Sequence, residues 1–103
     1  MSVLMEFAMF PTDKGTSVST EVSKVVELIK NSEVNYKLGA MGTTIETETM
    51  AEALAILQKS CDVLQVNSER VYASVKFDIR KGKMGRMTGK IKSIENKIGK
   101  VEK

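Results

Sequence analysis

The chain contains no histidine, no tryptophan, one cysteine and one proline in 103 residues. Each shortage closes off a class of function. Without histidine, Ser-His-Asp and Cys-His catalysis are excluded, and so is the commonest transition-metal ligand. Cys61 is the only cysteine, so no internal disulfide forms and zinc lacks a set of ligands. The five aromatic residues are three Phe and two Tyr, and none of them lies in the basic C-terminal stretch where stacking on bases would need them. No apolar run approaches the roughly 20 residues of a membrane span. The opening Met1-Ser2-Val3-Leu4-Met5-Glu6 lacks the basic-then-apolar order of a secretory signal. With one cysteine and no signal, the expected compartment is the cytoplasm.

What is present reads as one domain. A 42% apolar and 28% charged composition is ordinary for a globular protein, and the length allows a single core. The net charge of +3 sits in the last quarter. Arg80, Lys81, Lys83, Arg86, Lys90, Lys92, Lys97, Lys100 and Lys103 stand there against Glu95 and Glu102, and the rest of the chain is net acidic. This reads as a solvated basic helix rather than a nucleic-acid surface. Partners of the nucleic-acid and membrane classes are therefore not expected.

The hydrophobic pattern predicts a strand over Val3 to Phe10, ended by Pro11. Val18, Val22, Val25, Val26 and Ile29 then recur at helical spacing, with Ser17 or Ser19 as the cap. Tyr36 to Ala40 and Thr43 to Glu48 predict a hairpin. Thr49 and Glu52 have capping-box spacing at the head of a second helix, whose apolar stripe is expected to be Met50, Leu54, Leu57, Cys61 and Leu64. Cys61 is thereby expected to be a buried, unreactive thiol. Val71, Ala73, Val75, Phe77 and Ile79 alternate with polar residues in the clearest strand. Ile91, Ile94, Ile98 and Val101 mark a terminal helix from about Met84, a helical extension over residues 84–103. The order βαββαβ predicts an α+β, ferredoxin-like sandwich spanning 1–103: a four-stranded antiparallel sheet, two helices on one face, and a C-terminal helix.

The most suggestive stretch is Leu38-Gly39-Ala40-Met41-Gly42-Thr43-Thr44-Ile45-Glu46. Gly39 and Gly42 permit a tight turn or a close approach to a ligand. Thr44 and Glu46, two apart on a strand, share a face. In the expected topology the sheet's other face carries Glu6, Ala8, Phe10, Thr44, Glu46, Tyr72, Lys76 and Asp78. Glu6, Glu46 and Asp78 could accept from a ligand's amine or face a cation, or pair with Lys37 and Lys76 across strands. Phe10, Met41 and Tyr72 could wall a ring or pack a dimer. Gly15-Thr16-Ser17 before a helix is a weak anion-site pattern. Such a face invites sheet-to-sheet self-association.

As a set, several pieces resemble the small thiamine-binding proteins of bacteria and archaea, a family once catalogued as a domain of unknown function. The pieces are Glu6 with Phe10-Pro11, Gly15-Thr16-Ser17-Val18-Ser19, Tyr36 with Gly39-Ala40-Met41-Gly42-Thr43 and Glu46, and Arg70-Val71-Tyr72 with Lys76 and Asp78-Arg80. The resemblance implies a ferredoxin-like subunit, a homodimer built sheet against sheet and often paired into a homotetramer, and binding of thiamine or a related pyrimidine without chemistry. Thiamine would be a bound ligand, not a cofactor, and the chain not an enzyme. From the chemistry of that ligand, Glu46 or Glu6 is expected to meet the aminopyrimidine and Asp78 to lie near the thiazolium. Thr43, Thr44 or Ser19 would offer hydroxyls, and Phe10 and Met41 would flank a ring. On this view Glu46→Gln weakens binding with little loss of fold. The competing expectation is a structural or regulatory self-assembling protein with no small-molecule ligand.

Overall fold

The structure is a computed structural model that describes residues 1–15 and 18–103. Seven elements follow in order: β1 (Ser2–Pro11), α1 (Ser19–Asn31), β2 (Asn35–Leu38), β3 (Thr43–Thr47), α2 (Met50–Gln65), β4 (Val71–Arg80) and α3 (Arg86–Ile98). The four strands form one antiparallel sheet in the order β2-β3-β1-β4. The expected ferredoxin-like α+β sandwich is therefore the observed fold.

Strand alternation sets the two faces. Val3, Met5, Phe7 and Met9 of β1 point into the helical layer and join Ile45, Val25, Ile29, Ala53, Ile56 and Leu64 in the core. Met5, Ile29 and Ile45 are fully buried, each worth about 1.5–3 kcal/mol of apolar burial. Leu4, Glu6, Ala8 and Phe10 point to the other face, opposite Asp78, Lys76, Ser74 and Tyr72 of β4.

Thr49 caps α2 as its spacing predicts. Its hydroxyl accepts from the Glu52 N–H at 3.1 Å and donates to the Glu52 carboxylate at 2.9 Å. The cap expected at α1 is not made by Ser19, which is the helix's first residue; the N-cap is Val18, with no side-chain bond. Ser17, the other candidate, lies outside the described residues, as does Thr16 of the Gly15-Thr16-Ser17 pattern.

The buried side of α2 is turned from the expected stripe. Ala53, Ile56, Ser60 and Leu64 are buried, while Met50, Leu57 and Cys61 are half-buried and Leu54 is exposed. Small Ala53 and Ser60 allow the helix to lie close to the sheet. The Ser60 hydroxyl donates to the Ile56 carbonyl at 2.8 Å, so its polar atom is satisfied. Cys61 is thus not the fully buried thiol its stripe suggested.

The helical layer covers β3 and β1 and reaches β4 at Val71 and Val75, which pack against the core, leaving the helix-side residues Phe77 and Ile79 farther along β4 exposed. On the opposite face α3 docks by its first turns and leaves Ile94 and Ile98 exposed. The radius of gyration of 14.9 Å exceeds the ~13 Å of a compact chain this size, and the longest dimension is 45 Å.

Candidate functional site

Two centres emerge, and the expected site residues divide between them. The first forms where the sheet is incomplete. Pairing of β1 with β3 ends at Phe7 opposite Thr43, whereas pairing with β4 runs on to Pro11 opposite Val71. From Ala8 onward, the β3 side of β1 therefore has no strand beside it. The β2–β3 turn fills part of the gap. Its ends are tied by the Gly39 N–H donating to the Gly42 carbonyl at 2.8 Å. Gly42 passes so close to β1 that a Cβ there would lie 3.1 Å from the Phe7 carbonyl oxygen and 3.6 Å from Cγ of Glu6. A side chain at this position would push the hairpin off the strand.

Between this turn, the free edge of β1 and α1 lies a cleft of about 310 Å³, within the size range of small-molecule sites. Phe10, Leu38, Met41, Val22 and Val26 supply apolar walls, and Thr43 supplies a hydroxyl. Thr43 is buried on the helical side of the sheet, opposite Phe7. Thr44 alternates to the other side, opposite Glu6. Glu6 is half-exposed and pairs with Lys76 at 3.0 Å. Phe10 stacks obliquely on Tyr72, with ring centroids 5.8 Å apart. Met41 is 91% exposed at the tip of the turn and lines the mouth of the cleft. Ser19 lies in an adjoining hollow along α1, shared with Val22, Val26 and Leu38 and edged by Glu27 and Lys30. Five of the eight expected residues, Glu6, Phe10, Met41, Thr43 and Thr44, thus gather around Gly42.

Glu46 and Asp78 stand elsewhere. They flank Leu4 on neighbouring strands, and α3 begins over them. Glu46 is 2% exposed. Its Oε2 accepts from the Ser2 hydroxyl at 2.6 Å, the Gly85 N–H at 2.8 Å and the Arg86 N–H at 3.1 Å, and its Oε1 from the Met87 N–H at 3.5 Å. The carboxylate therefore caps α3 from another strand, satisfying the donors a helix start leaves unpaired. Burial pushes its pKa up; the Ser2 hydroxyl and the N–H groups of Arg86, Met87 and Gly85 outweigh this, so the group is held below its ordinary value. Gly85 adopts φ +95°, a left-handed conformation that aims its N–H at Glu46 and suits glycine.

Arg86 completes the cluster. Its Nε donates to the Ser2 hydroxyl at 3.0 Å, and its Nη2 to the carbonyls of Ser2 at 2.8 Å and Asp78 at 2.6 Å. Its Nη1 lies 3.0 Å from the Asp78 carboxylate, which also binds Lys90 at 2.7 Å. Hydrogen bonds from Lys90 and then Arg86 hold the Asp78 carboxyl below its ordinary range. Nothing in the sequence marked Ser2 or Arg86. The apolar stripe of Ile91, Ile94 and Ile98 placed a helix from about Met84 but not its distant cap.

Among the described residues there is no group of three His, Cys, Asp or Glu side chains placed to hold a metal ion, and no helix is long and apolar enough to cross a membrane.

The fold and the cleft define a ferredoxin-like α+β domain that offers a ligand-sized hollow beside an interrupted sheet edge. A family model described as thiamine-binding protein matches residues 5–95. The UPF0045 protein Mb1933 of Mycobacterium bovis is 33% identical over 95 residues, covering 92% of this chain and 93% of its own. A crystal structure of the hypothetical protein MJ1052 from Methanocaldococcus jannaschii superimposes with a TM-score of 0.81 at 32% identity, covering 90% of this chain and 95% of that one. A Bacillus cereus domain of unknown function, DUF77, does so at 0.76 and 28% identity, covering 88% of each. The chain belongs to the thiamine-binding protein family.

Proposed function

We propose that the chain binds thiamine or a related aminopyrimidine or thiazolium compound, without catalysing a reaction, in the cleft between the β2–β3 turn and α1. The observation that carries this reading is the cleft itself, a hollow of about 310 Å³ at the unpaired edge of β1, walled by Phe10, Met41 and Leu38. A flat heteroaromatic ring suits such walls, and the peptide groups of Ala8 to Phe10 with the Thr43 hydroxyl supply donors and acceptors for an aminopyrimidine. Glu6, whose side chain approaches Gly42 from the open face, suits the cationic thiazolium or the exocyclic amine. Catalysis finds no support here, since the chain holds no histidine and the carboxylates of Glu46 and Asp78 are engaged by α3.

Self-association belongs to the same reading. Phe10 and Tyr72 on the open face and Ile94 and Ile98 on α3 are exposed, and a second copy would cover them. The proposed assembly is a homodimer or homotetramer in the cytoplasm.

Calorimetric titration with thiamine tests the ligand. The expected result is saturable heat that weakens at least tenfold in Phe10→Ala and in Thr43→Val, with both variants folded. No heat and no thermal shift at millimolar thiamine would sink the proposal and leave self-assembly as the function.

A further inference from the structure

The cleft beside β1 continues past the β2–β3 turn. Val22, Val26 and Leu38 line it, and the same three residues line a second hollow of about 590 Å³ that follows α1. The helix adds Ser19, Ser23, Glu27, Lys30 and Asn31 to that second lining. These positions recur three and four apart, so they share one face of α1 with Val22 and Val26. The face changes character with distance from the cleft. Val22 and Val26 are apolar and half-buried. Glu27 follows Val26 directly, and Lys30 lies one turn further, about 6 Å along the axis. Both charges are exposed. Among the described residues neither is in an ion pair, although their three-residue spacing would permit one. Helical side chains lean toward the N-terminus, which carries the Lys30 amine back toward Val26 rather than away from it.

We propose that the site takes its ligand as a phosphate ester, with the rings in the cleft and the phosphate in the second hollow at Lys30. The inference rests on the reading of the cleft as a thiamine site and specifies which form of that ligand it holds. Thiamine carries an aminopyrimidine, then a cationic thiazolium, then a hydroxyethyl arm whose phosphate ester is anionic. The joined hollows offer groups in the same order. Phe10, Val22 and Val26 give apolar walls, Glu27 a carboxylate, and Lys30 with Asn31 an ammonium and an amide. A free hydroxyl gains little from a lysine, whereas a phosphate accepts charge-assisted bonds from it and a further bond from the amide. The other end of the hollow is poorer in donors. The Ser23 hydroxyl spends its proton on the Thr20 carbonyl at 2.7 Å, which leaves only Ser19 there. Lys30 also stands in the last turn of α1, where a cation offsets the helix dipole. That role alone would affect stability and would not distinguish a phosphate ester from an alcohol.

The test titrates the full chain by calorimetry with thiamine and with thiamine monophosphate at low ionic strength. The ester should bind about tenfold more tightly than thiamine. Lys30→Met should remove that advantage and leave the affinity for thiamine unchanged. Lys24→Met loses the same charge from the same helix but lies outside both hollows, and it should keep the advantage. Thiamine binding with the ester no tighter would overturn the proposal while sparing the cleft. So would an advantage that survives Lys30→Met, or one that Lys24→Met abolishes equally. Failure of both ligands to bind is a distinct result, which overturns the reading of the cleft and this inference with it. Should Lys30→Met fail to fold, the comparison of ester with alcohol on the unaltered chain, together with Lys24→Met, decides.

Discussion

Replacing Glu46 with glutamine removes a buried charge that four donors share. The amide oxygen can keep some of those bonds, but its NH2 group must face donors. The expected cost is about 1–3 kcal/mol, read by chemical denaturation, with faster amide exchange across α3 than in β1. This replaces the expectation that Glu46→Gln would disturb a ligand and spare the fold. Gly85→Ala should cost about 1–2 kcal/mol, since an alanine at φ +95° is strained; equal stability in urea would show that the turn relaxes at no cost. The local chemistry of Glu46 was legible, in that a strand carboxylate facing away from the core was seen to need polar partners. The identity of those partners was not, because Ser2 and Arg86 lie 44 and 40 residues away, beyond any local periodicity.

Among the elements, β1, α2 and β4 followed their patterns closely, because long periodic runs and a Thr-x-x-Glu cap act locally. The facing of α2 did not. Helical spacing admits two overlapping stripes here, and the sheet selected the one with Ala53 and Ser60 because small residues let the axis approach. Ile56→Ala should therefore cost about 2–5 kcal/mol as a core deletion, while Leu54→Lys should change the stability of the separated subunit by less than about 0.5 kcal/mol. Thermal melts of dilute samples distinguish the two. The docking of α3 also has a definite pH dependence. Glu46 and Asp78 have lower pKa values in the folded state than when free. Their contribution is thus complete above the free carboxylate values and is lost as the pH falls through the folded ones. Amide protection of α3 should be constant from about pH 5.5 to 8 and fall below about pH 4, with the sheet core persisting to lower pH. Protection of α3 that vanished together with the core would contradict a separate latch.

At the scale of the whole molecule, a ligand that binds only the folded state must raise the melting temperature in proportion to the logarithm of its concentration. Thiamine should do so here, and Phe10→Ala should flatten the slope. The candidate site was partly legible in advance. The Gly39-to-Thr43 turn borders the hollow beside β1, whereas the open-face residues do not all gather there. Glu46 and Asp78 hold α3 there, while the hollow opens on the helical side beside α1. What the sequence alone determined was the element order, the ferredoxin-like class and the family, since these rest on local periodicity, capping and short motifs. Only the tertiary structure decided that the pairing of β1 with β3 ends at Phe7 and opens a cleft, that α2 turns Leu54 outward, and that a carboxylate from β3 caps a helix some forty residues on. Those outcomes depend on which distant surfaces meet, and distance along the chain carries no record of that.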